Sequence, residues 1–506
     1  GVHPPHLLGS ELAVRMARRL VQQAKEDKDV RKLLRRVTFY IIPRPAPDAC
    51  EALFHPPHAQ RTGNERPTDD DRDGQCDEDG PEDLNGDGLI TMMRVEDHSG
   101  PYIPHPDDER VMIRARADQG EHGRFLLYRE GRDNDEDEQF NEDPPGGVAF
   151  NRNFTFRYPY FEEGAGPHQV SEIESRAVAD YAFSHANIAA VLTFTPDDNL
   201  MRPWKPDPES KSERIKTSVL SDDAEVMDYL AEQYRTIHGG KDPPEASPGE
   251  GSFSEWAYFH FGRWSLACRG WWIPKVEPDK KQVKPADKGS AQQSADGKQP
   301  PEEKVEEKAA KKDRAADELN ALRWFAQEGI DGFVAWEQIE HSDFPGKRVE
   351  VGGFRPLVRC NPPADRLDRL EDVHWKFLRR LAGWLPRLKI RQTKVEPLGG
   401  GVWRVTVEVA NDGYLPTVAE MGRITERLQP LQAELELPEG VTLVAGYARI
   451  QFPPLAGGGG TAKRSWVVLA PEGESTLLRV RVWSPSVGKA ARRIRLKVPE
   501  KPQQEE

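Results

Sequence analysis

The sequence has no run of about 18 apolar residues, so no membrane-crossing helix is expected. Cysteine is scarce, with four among 506 residues: Cys50, Cys76, Cys268 and Cys360. They lie far apart and form no CxxC pair. That excludes a zinc ribbon or thioredoxin motif, and it permits two disulfides without implying them. Basic charge is also in short supply. Lys and Arg total 71 against 85 Asp and Glu, a net charge of -14. Phosphate neutralisation needs clustered cations, so nucleic acid is not an expected partner. An initiator Met and a signal peptide are both lacking. The chain opens on Gly1-Val2-His3, which reads as a fragment or processed form.

What is present alternates between helical and strand patterns. Residues 10–25 carry apolar positions at helical spacing. Val37–Ile42 (VTFYII) is a β-branched and aromatic run stopped by Pro43, the signature of a buried strand. Helix and strand alternate again over 171–184, 188–195 and 221–237. Such alternation predicts an α/β fold, with helices on the faces of a parallel or mixed sheet. The stretch from about 63 to 147 is acidic and Gly-punctuated and reads as an extended surface excursion with little core of its own. Residues 277–314 hold no aromatic residue and almost nothing apolar, so disorder is expected there. Helices follow near 315–328 and 366–386. From 388 the pattern turns to short alternating strands with Gly and Pro turns: Trp403–Val409, Ala433–Leu437, Leu443–Phe452, Trp466–Leu469 and Leu477–Trp483. That pattern predicts a β-sandwich, Ig-like in type. The expected layout is a first domain over 1–387, with inserts at 63–147 and 277–314, a sandwich over 388–500, and a disordered tail at 501–506.

Three segments place Asp or Asn at every second position. They are Asp69, Asp71, Asp73 continuing to Asp77 and Asp79; Asp83, Asn85, Asp87; and Asp133, Asp135, Asp137 continuing to Asn141 and Asp143. Alternating carboxylates around a turn present oxygens to one hard cation, the logic of a calcium loop. An EF-hand closes with Glu at position twelve. Here that place holds Gly80, Arg94 and Pro144, so these are not EF-hands and resemble thrombospondin type 3 or dockerin-like loops. The bland alternative is a solvated acidic loop, but clustered carboxylates repel, and calcium is the expected cofactor.

Several short words in order resemble the carboxypeptidase A family of zinc peptidases, from Gly1 to about residue 386. Asn151-Arg152-Asn153-Phe154 is similar to the family's NRNF segment, and Ser171-Glu172-x-Glu174 to its Ser-Glu-Pro-Glu helix start. Gly251-Ser252-Phe253-Ser254-Glu255-Trp256-Ala257-Tyr258 resembles its Gly-Thr-x-x-Asp-Trp-Ala-Tyr segment, and Pro43 with Pro47-Asp48 another such word. The acidic insert and Gly413–Thr417 resemble a bacterial branch in which a β-sandwich follows the peptidase domain. The resemblance implies a mixed eight-stranded-type sheet flanked by helices, whose first strands would precede Gly1. It also implies a secreted, periplasmic or cell-surface location, and a peptide or protein C-terminus as partner.

The family's chemistry needs a His-x-x-Glu pair and a later His on zinc, a separate Glu as base, and Asn-Arg for the substrate carboxylate. Placed on those roles, His3 fills the first ligand position, His6 stands for the Glu, and Thr195 stands for the second His. Arg269 stands for the catalytic Glu, and an Arg cannot act as a base near neutral pH. Asn151 and Arg152 remain for a carboxylate, and Arg66 matches the carbonyl-polarising Arg position. Zinc is therefore the family's cofactor and is in doubt for this chain. Three readings stand open. The first is a non-catalytic protein whose former cleft binds a peptide or carboxylate. The second is an active metallocarboxypeptidase with a rearranged set of His3, His6 and Asp197 or Asp198. The third is a calcium-stabilised surface scaffold.

Overall fold

The structure is a computed structural model and describes residues 1–69, 74–141, 143–144, 146–209, 213–277, 315–471 and 475–496. The expected disordered insert, apart from Glu277, lies outside these residues, as do Asp71, Asp73 and the C-terminal tail. Helix and strand content is mixed up to residue 384, and the remainder is rich in strands.

The amphipathic stretch near the start forms the helix Leu8–Glu26, which buries Leu8, Leu12, Met16 and Leu20. Asp27 then caps the helix Lys28–Leu34, accepting the Asp29 and Val30 amides. The acidic insert is less bare than its composition suggested. It contributes four short strands: β1 (Met92–Glu96), β2 (Tyr102–His105), β3 (Asp108–Arg114) and β4 (Phe125–Arg129). Further along, β5 (Ala190–Phe194) and β6 (Trp264–Cys268) pair in parallel. Strands β7 (Phe333–Ile339) and β8 (Val349–Phe354) return to the insert, giving a six-stranded sheet in the order β3-β2-β4-β1-β8-β7. The insert therefore has two small cores, one around Met93, Val95, Val349 and Val351 and one around Val111, Ile113, Leu319 and Leu322. The stretch has little core of its own, as expected, and shares these two with residues outside it. A few alternating apolar residues suffice once the partner strands arrive from more than 200 residues away.

Among the described residues no single eight-stranded sheet forms. Val37–Ile42, expected as a buried strand, runs extended but pairs with no strand, and Thr38, Tyr40 and Ile42 are exposed. The helices Ile173–Ser184, Ser221–His238, Phe253–Phe259 and Leu367–Trp384 surround β5 and β6. The largest core joins Leu230, Tyr234, Tyr258, Trp264, Leu266, Phe377 and Leu381.

The C-terminal part contains eight strands: β9 (Leu388–Gly399), β10 (Val402–Asn411), β11 (Gln432–Glu436), β12 (Thr442–Ala445), β13 (Arg449–Gln451), β14 (Thr461–Leu469), β15 (Thr476–Ser484) and β16 (Gly488–Leu496). They form two antiparallel sheets, β12-β14-β10-β9 and β13-β11-β15-β16. One core lies between them, built on Val405, Val407, Val409, Trp466, Val468, Leu478, Val480 and Val482. This part is docked onto the first. Leu415, Ala419 and Met421, from the loop after β10, belong to the same core as Tyr258 and Phe377. The buried Asp223 carboxylate accepts the Glu420 and Met421 amides at 2.8 and 3.0 Å, capping the short helix Glu420–Ile424 from across the boundary.

Candidate functional site

Four of the residues singled out by sequence meet at the C-terminal end of β5, where the chain leaves the strand and turns through Thr195–Asn199. The Asp197 carboxylate is buried, with 5 % of its surface exposed. It accepts from the Thr195 and Ser254 hydroxyls and from Asn151 Nδ2 at 3.1 Å. Asn151 Nδ2 also lies 3.3 Å from Thr195 Oγ1, and its Oδ1 accepts the Phe253 amide at 3.1 Å. Burial pushes the Asp197 carboxyl up from its ordinary range, and these donors oppose the shift. The neighbouring Asp198 accepts the amides of Leu200, Met201 and Arg269. Its carboxyl is also pushed up by burial. Each carboxylate therefore spends its oxygens on the protein itself.

Arg269 follows β6 and lies beside this network. Its guanidinium donates to the carbonyls of Glu245 and Pro196 at 3.3 and 3.4 Å. Burial lowers its pKa, and Asp198 is the nearest opposing charge. His3 and His6 come from the turn before the first helix, with ring centroids 5.0 Å apart. Burial, then the Arg269 charge, holds His3 at about 4. His6 lies well below its ordinary value through burial and the His3 charge. Both rings are thus neutral, and His3 Nδ1 is buried with no hydrogen-bond partner. The N-terminal turn is anchored by Asn361, whose Nδ2 donates to the Pro5 carbonyl at 2.7 Å and whose Oδ1 accepts the Leu8 amide.

Does this donor set fit zinc? Two neutral imidazoles suit the metal, but a catalytic site takes three protein ligands. Among the described residues, His3 and His6 join no third His, Cys, Asp or Glu in a group whose ligand atoms all lie within 4.8 Å of one another. Thr195 Oγ1 is committed to Asp197, and the Arg269 cation sits close enough to disfavour charge on both imidazoles. The residues present do not make a three-ligand zinc site, with Asp197 or Asp198 or without them.

The remaining cations lie apart from this network. Arg66 pairs with Glu172 at 3.0 Å, and Asn64 bonds both Glu172 and Glu174. Arg152 pairs with Glu162, which is half exposed. Sequence reasoning did not single out Ser254 or Asn361 as site residues. Ser254 lay inside a segment noted only as a family word, and Asn361 carried no signal at all. None of the four cysteines forms a disulfide.

The acidic loops share a local geometry. Asp83 accepts the Gly86 and Asp87 amides on one oxygen and the Gly88 amide on the other, all within 3.1 Å. Asp133 repeats this with the Asp137 and Glu138 amides, and Asp69 accepts the Gly74 amide. The sixth position takes a positive φ each time: 102° at Gly74, 83° at Gly88 and 73° at Glu138. Asn85 and Asp135 each accept the amide two residues on. The ligand atoms of Asp133, Asp135 and Asp137 lie within 4.8 Å of one another. Desolvation and the Asp137 and Asp133 charges raise the Asp135 carboxyl. Asp77 and Asp79 do other work. Asp77 accepts the Thr68 and Gly146 amides, and Asp79 accepts those of Asn134 and Asn141. Together with a backbone bridge between Asp79 and Asp143, they tie the first loop region to the third.

Among solved structures, the chain is similar to the GAE domain of GGA2p from Saccharomyces cerevisiae. The identity is 16%, over 22% of this chain and 90% of that one, with a TM-score of 0.15. It is also similar to DesR, a beta-glucosidase from Streptomyces venezuelae, with 15% identity over 22% of this chain and 15% of that one, and a TM-score of 0.14. No curated protein sequence matches significantly. Residues 387–495 match a domain of unknown function (DUF8731). Residues 1–81, which carry His3, His6 and Arg66, match the zinc carboxypeptidase family, so the N-terminal region of this chain is carboxypeptidase-like.

Proposed function

We propose that this is a non-catalytic carboxypeptidase-like protein, with a peptidase-type domain over 1–387 carrying a former active site and a sandwich over 388–500. One observation carries the reading. The Thr195 hydroxyl is hydrogen-bonded to Asp197, and the Arg269 guanidinium lies beside them on the Pro196 carbonyl; the family resemblance aligns these two residues with the second zinc His and the base. A guanidinium stays protonated near neutral pH, so it cannot take a proton from water. The role left to the cleft is binding. Arg152, with Asn151 beside it, is the group that would receive a peptide's terminal carboxylate through charge-assisted hydrogen bonds. The Glu162 carboxylate now on Arg152 is half exposed, and a surface pair of that kind is worth only about 0–1 kcal/mol, so a ligand can displace it. A secreted, periplasmic or cell-surface location suits such a role, as the family resemblance implies.

The test pairs metal analysis of the purified protein with hydrolysis of C-terminal residues from a peptide pool. Expected are no stoichiometric zinc, no turnover, and binding that is lost when the peptide C-terminus is amidated. Zinc with turnover overturns the reading in favour of a working metallocarboxypeptidase. A second reading, compatible with the first, is that calcium stabilises the acidic insert. The close oxygens of Asp133, Asp135 and Asp137 favour it. The rest of the proposed ligand set is Asp69, Asp71, Asp73, Asp83, Asn85 and Asp87, with Asp77, Asp79, Asn141 and Asp143 at the loop junction.

A further inference from the structure

The groups that stand where the resemblance would put zinc suit the opposite charge. Arg269 forms no ion pair among the described residues. Its guanidinium makes two contacts there, both from Nη2, to the Pro196 and Glu245 carbonyls at 3.4 and 3.3 Å. Nε and Nη1 are left without an acceptor among the described residues. Asp198 is the nearest opposing charge, but its oxygens are spent on the Leu200, Met201 and Arg269 amides and not on that guanidinium. The Arg269 charge is felt by both His3 and His6, whose rings lie 5.0 Å apart. A neutral imidazole still carries one N–H donor. His3 Nδ1 is buried with no partner, and a buried polar atom without one calls for a ligand or a reason. Two residues past His6 the helix Leu8–Glu26 begins, and its capping residue Leu7 offers the first-turn amides no side-chain acceptor. The positive end of a helix of 19 residues favours an anion. Guanidinium, imidazole N–H and helix terminus therefore share one sign of preference.

We propose that this place is an anion site, which takes the side-chain carboxylate of an acidic residue at the C-terminus of the bound peptide. The proposal rests on the reading of the former cleft as a binder of peptide C-termini, and it names the ligand class. Two cationic positions flank one turn. Asn151, next to Arg152 in the chain, reaches Thr195 and Asp197, and Arg269 reaches Pro196. Arg152 has donor capacity to spare, since its Nε is buried without a partner and its Nη2 holds only the half-exposed Glu162. A peptide ending in aspartate or glutamate brings two carboxylates close together, the α-carboxylate for Arg152 and the side chain for Arg269. Guanidinium–carboxylate pairs are charge-assisted and can be bidentate, so each adds affinity and orientation. The whole chain carries a net charge of -14, so selection of an acidic ligand comes from these local cations and not from a long-range field.

The test is calorimetric titration of the protein with three synthetic tripeptides and with inorganic phosphate. One tripeptide ends in glutamate, one in glutamine, and the third is the glutamate form amidated at its α-carboxylate. The glutamate peptide should bind about tenfold or more tightly than the glutamine peptide, the gain of one hydrogen-bonded charge pair. Arg269→Gln should abolish that ratio and leave the glutamine peptide's affinity within about twofold, whereas Arg152→Gln should weaken both and keep the ratio. The ratio in the parent protein needs no variant, so the proposal stays falsifiable if Arg269→Gln does not fold. Equal binding of the glutamate and glutamine peptides overturns the anion site and leaves the reading of the cleft standing. If amidation costs nothing but the Arg269-dependent preference for glutamate remains, the role given to Arg152 falls and the anion site stands. Phosphate binding that depends on Arg269, without a preference for glutamate, assigns the place to a free anion and overturns the peptide side chain as its occupant. No binding of any probe overturns both readings.

Discussion

Asp223 is the sharpest single test of how the two parts of the molecule are held together. It lies in the first turn of Ser221–His238 with 2 % of its surface exposed. Its carboxylate receives Tyr258 Oη at 2.8 Å and the amides of Glu420 and Met421 at 2.8 and 3.0 Å. Asp223→Ala leaves all three donors without an acceptor. Glu420 is half-buried and its amide can find water, but Met421 and Tyr258 are buried. Each orphaned buried donor costs about 1–3 kcal/mol, so the substitution should destabilise by about 4 kcal/mol. Asp223→Asn keeps one acceptor oxygen but turns an NH2 towards a donor, and about 2 kcal/mol is expected. Tyr258→Phe alone should cost about 1–2 kcal/mol, and only the part of its effect due to the shared Asp223 bond should vanish in the Asp223→Ala background, because the Leu220 amide that Tyr258 Oη accepts at 3.1 Å is lost in either case. The assay is urea unfolding followed by tryptophan fluorescence and circular dichroism. Splitting of one transition into two in Asp223→Ala would show that the contact couples the parts. An Asp223→Ala protein within about 0.5 kcal/mol of the parent, with one unchanged transition, refutes the reasoning.

Other expectations follow from the same structure. His374 is buried, with Nδ1 donating to the Leu370 carbonyl at 2.7 Å and Nε2 accepting from Tyr234 Oη at 3.0 Å, so the neutral ring is fully satisfied. Burial holds it at about 3, below the unfolded value of 6.5. Its stabilisation is complete above pH 6.5 and drains as pH falls towards 3, with a slope of up to about 1.4 kcal/mol per pH unit. Urea unfolding between pH 4 and 7 should show about one fewer proton taken up in His374→Gln, and an identical slope in both proteins would refute this. Glu138 holds a φ of 73° that glycine tolerates better, so Glu138→Gly should raise stability by about 0.5–1 kcal/mol in thermal unfolding. A loss of stability would mean that the loop does not impose that backbone. Calcium at a hundred times its dissociation constant should stabilise by about 2.7 kcal/mol, and Asp133→Asn should shrink the gain. Equal melting temperatures in calcium and in chelator would remove calcium from the account.

Local pattern was legible wherever periodicity is a local property. The helices at Leu8–Glu26, Ser221–His238 and Leu367–Trp384 stand within a few residues of where apolar spacing placed them. The alternation of Trp403, Val405, Val407 and Val409 gave β10 directly, because every second side chain faces the core. Strands that owe their existence to distant partners were not legible. β1 to β4 sit in a charged stretch, and their sheet is completed where β1 pairs with β8, more than 200 residues later. Val37–Ile42 shows the opposite case, a strand pattern that pairs with no strand among the described residues. In the candidate site, the sequence alone named the residue types at His3, His6, Thr195 and Arg269. Those types bound the chemistry, because no fold turns a guanidinium into a base. What only the tertiary structure decided is what those groups do instead. Thr195 and Ser254 arrive from different elements to satisfy Asp197, Glu162 folds back onto Arg152, and Glu172 takes Arg66. A buried carboxylate or cation takes whichever partner the packing brings within 3 Å, and that choice is not written at any one position of the chain.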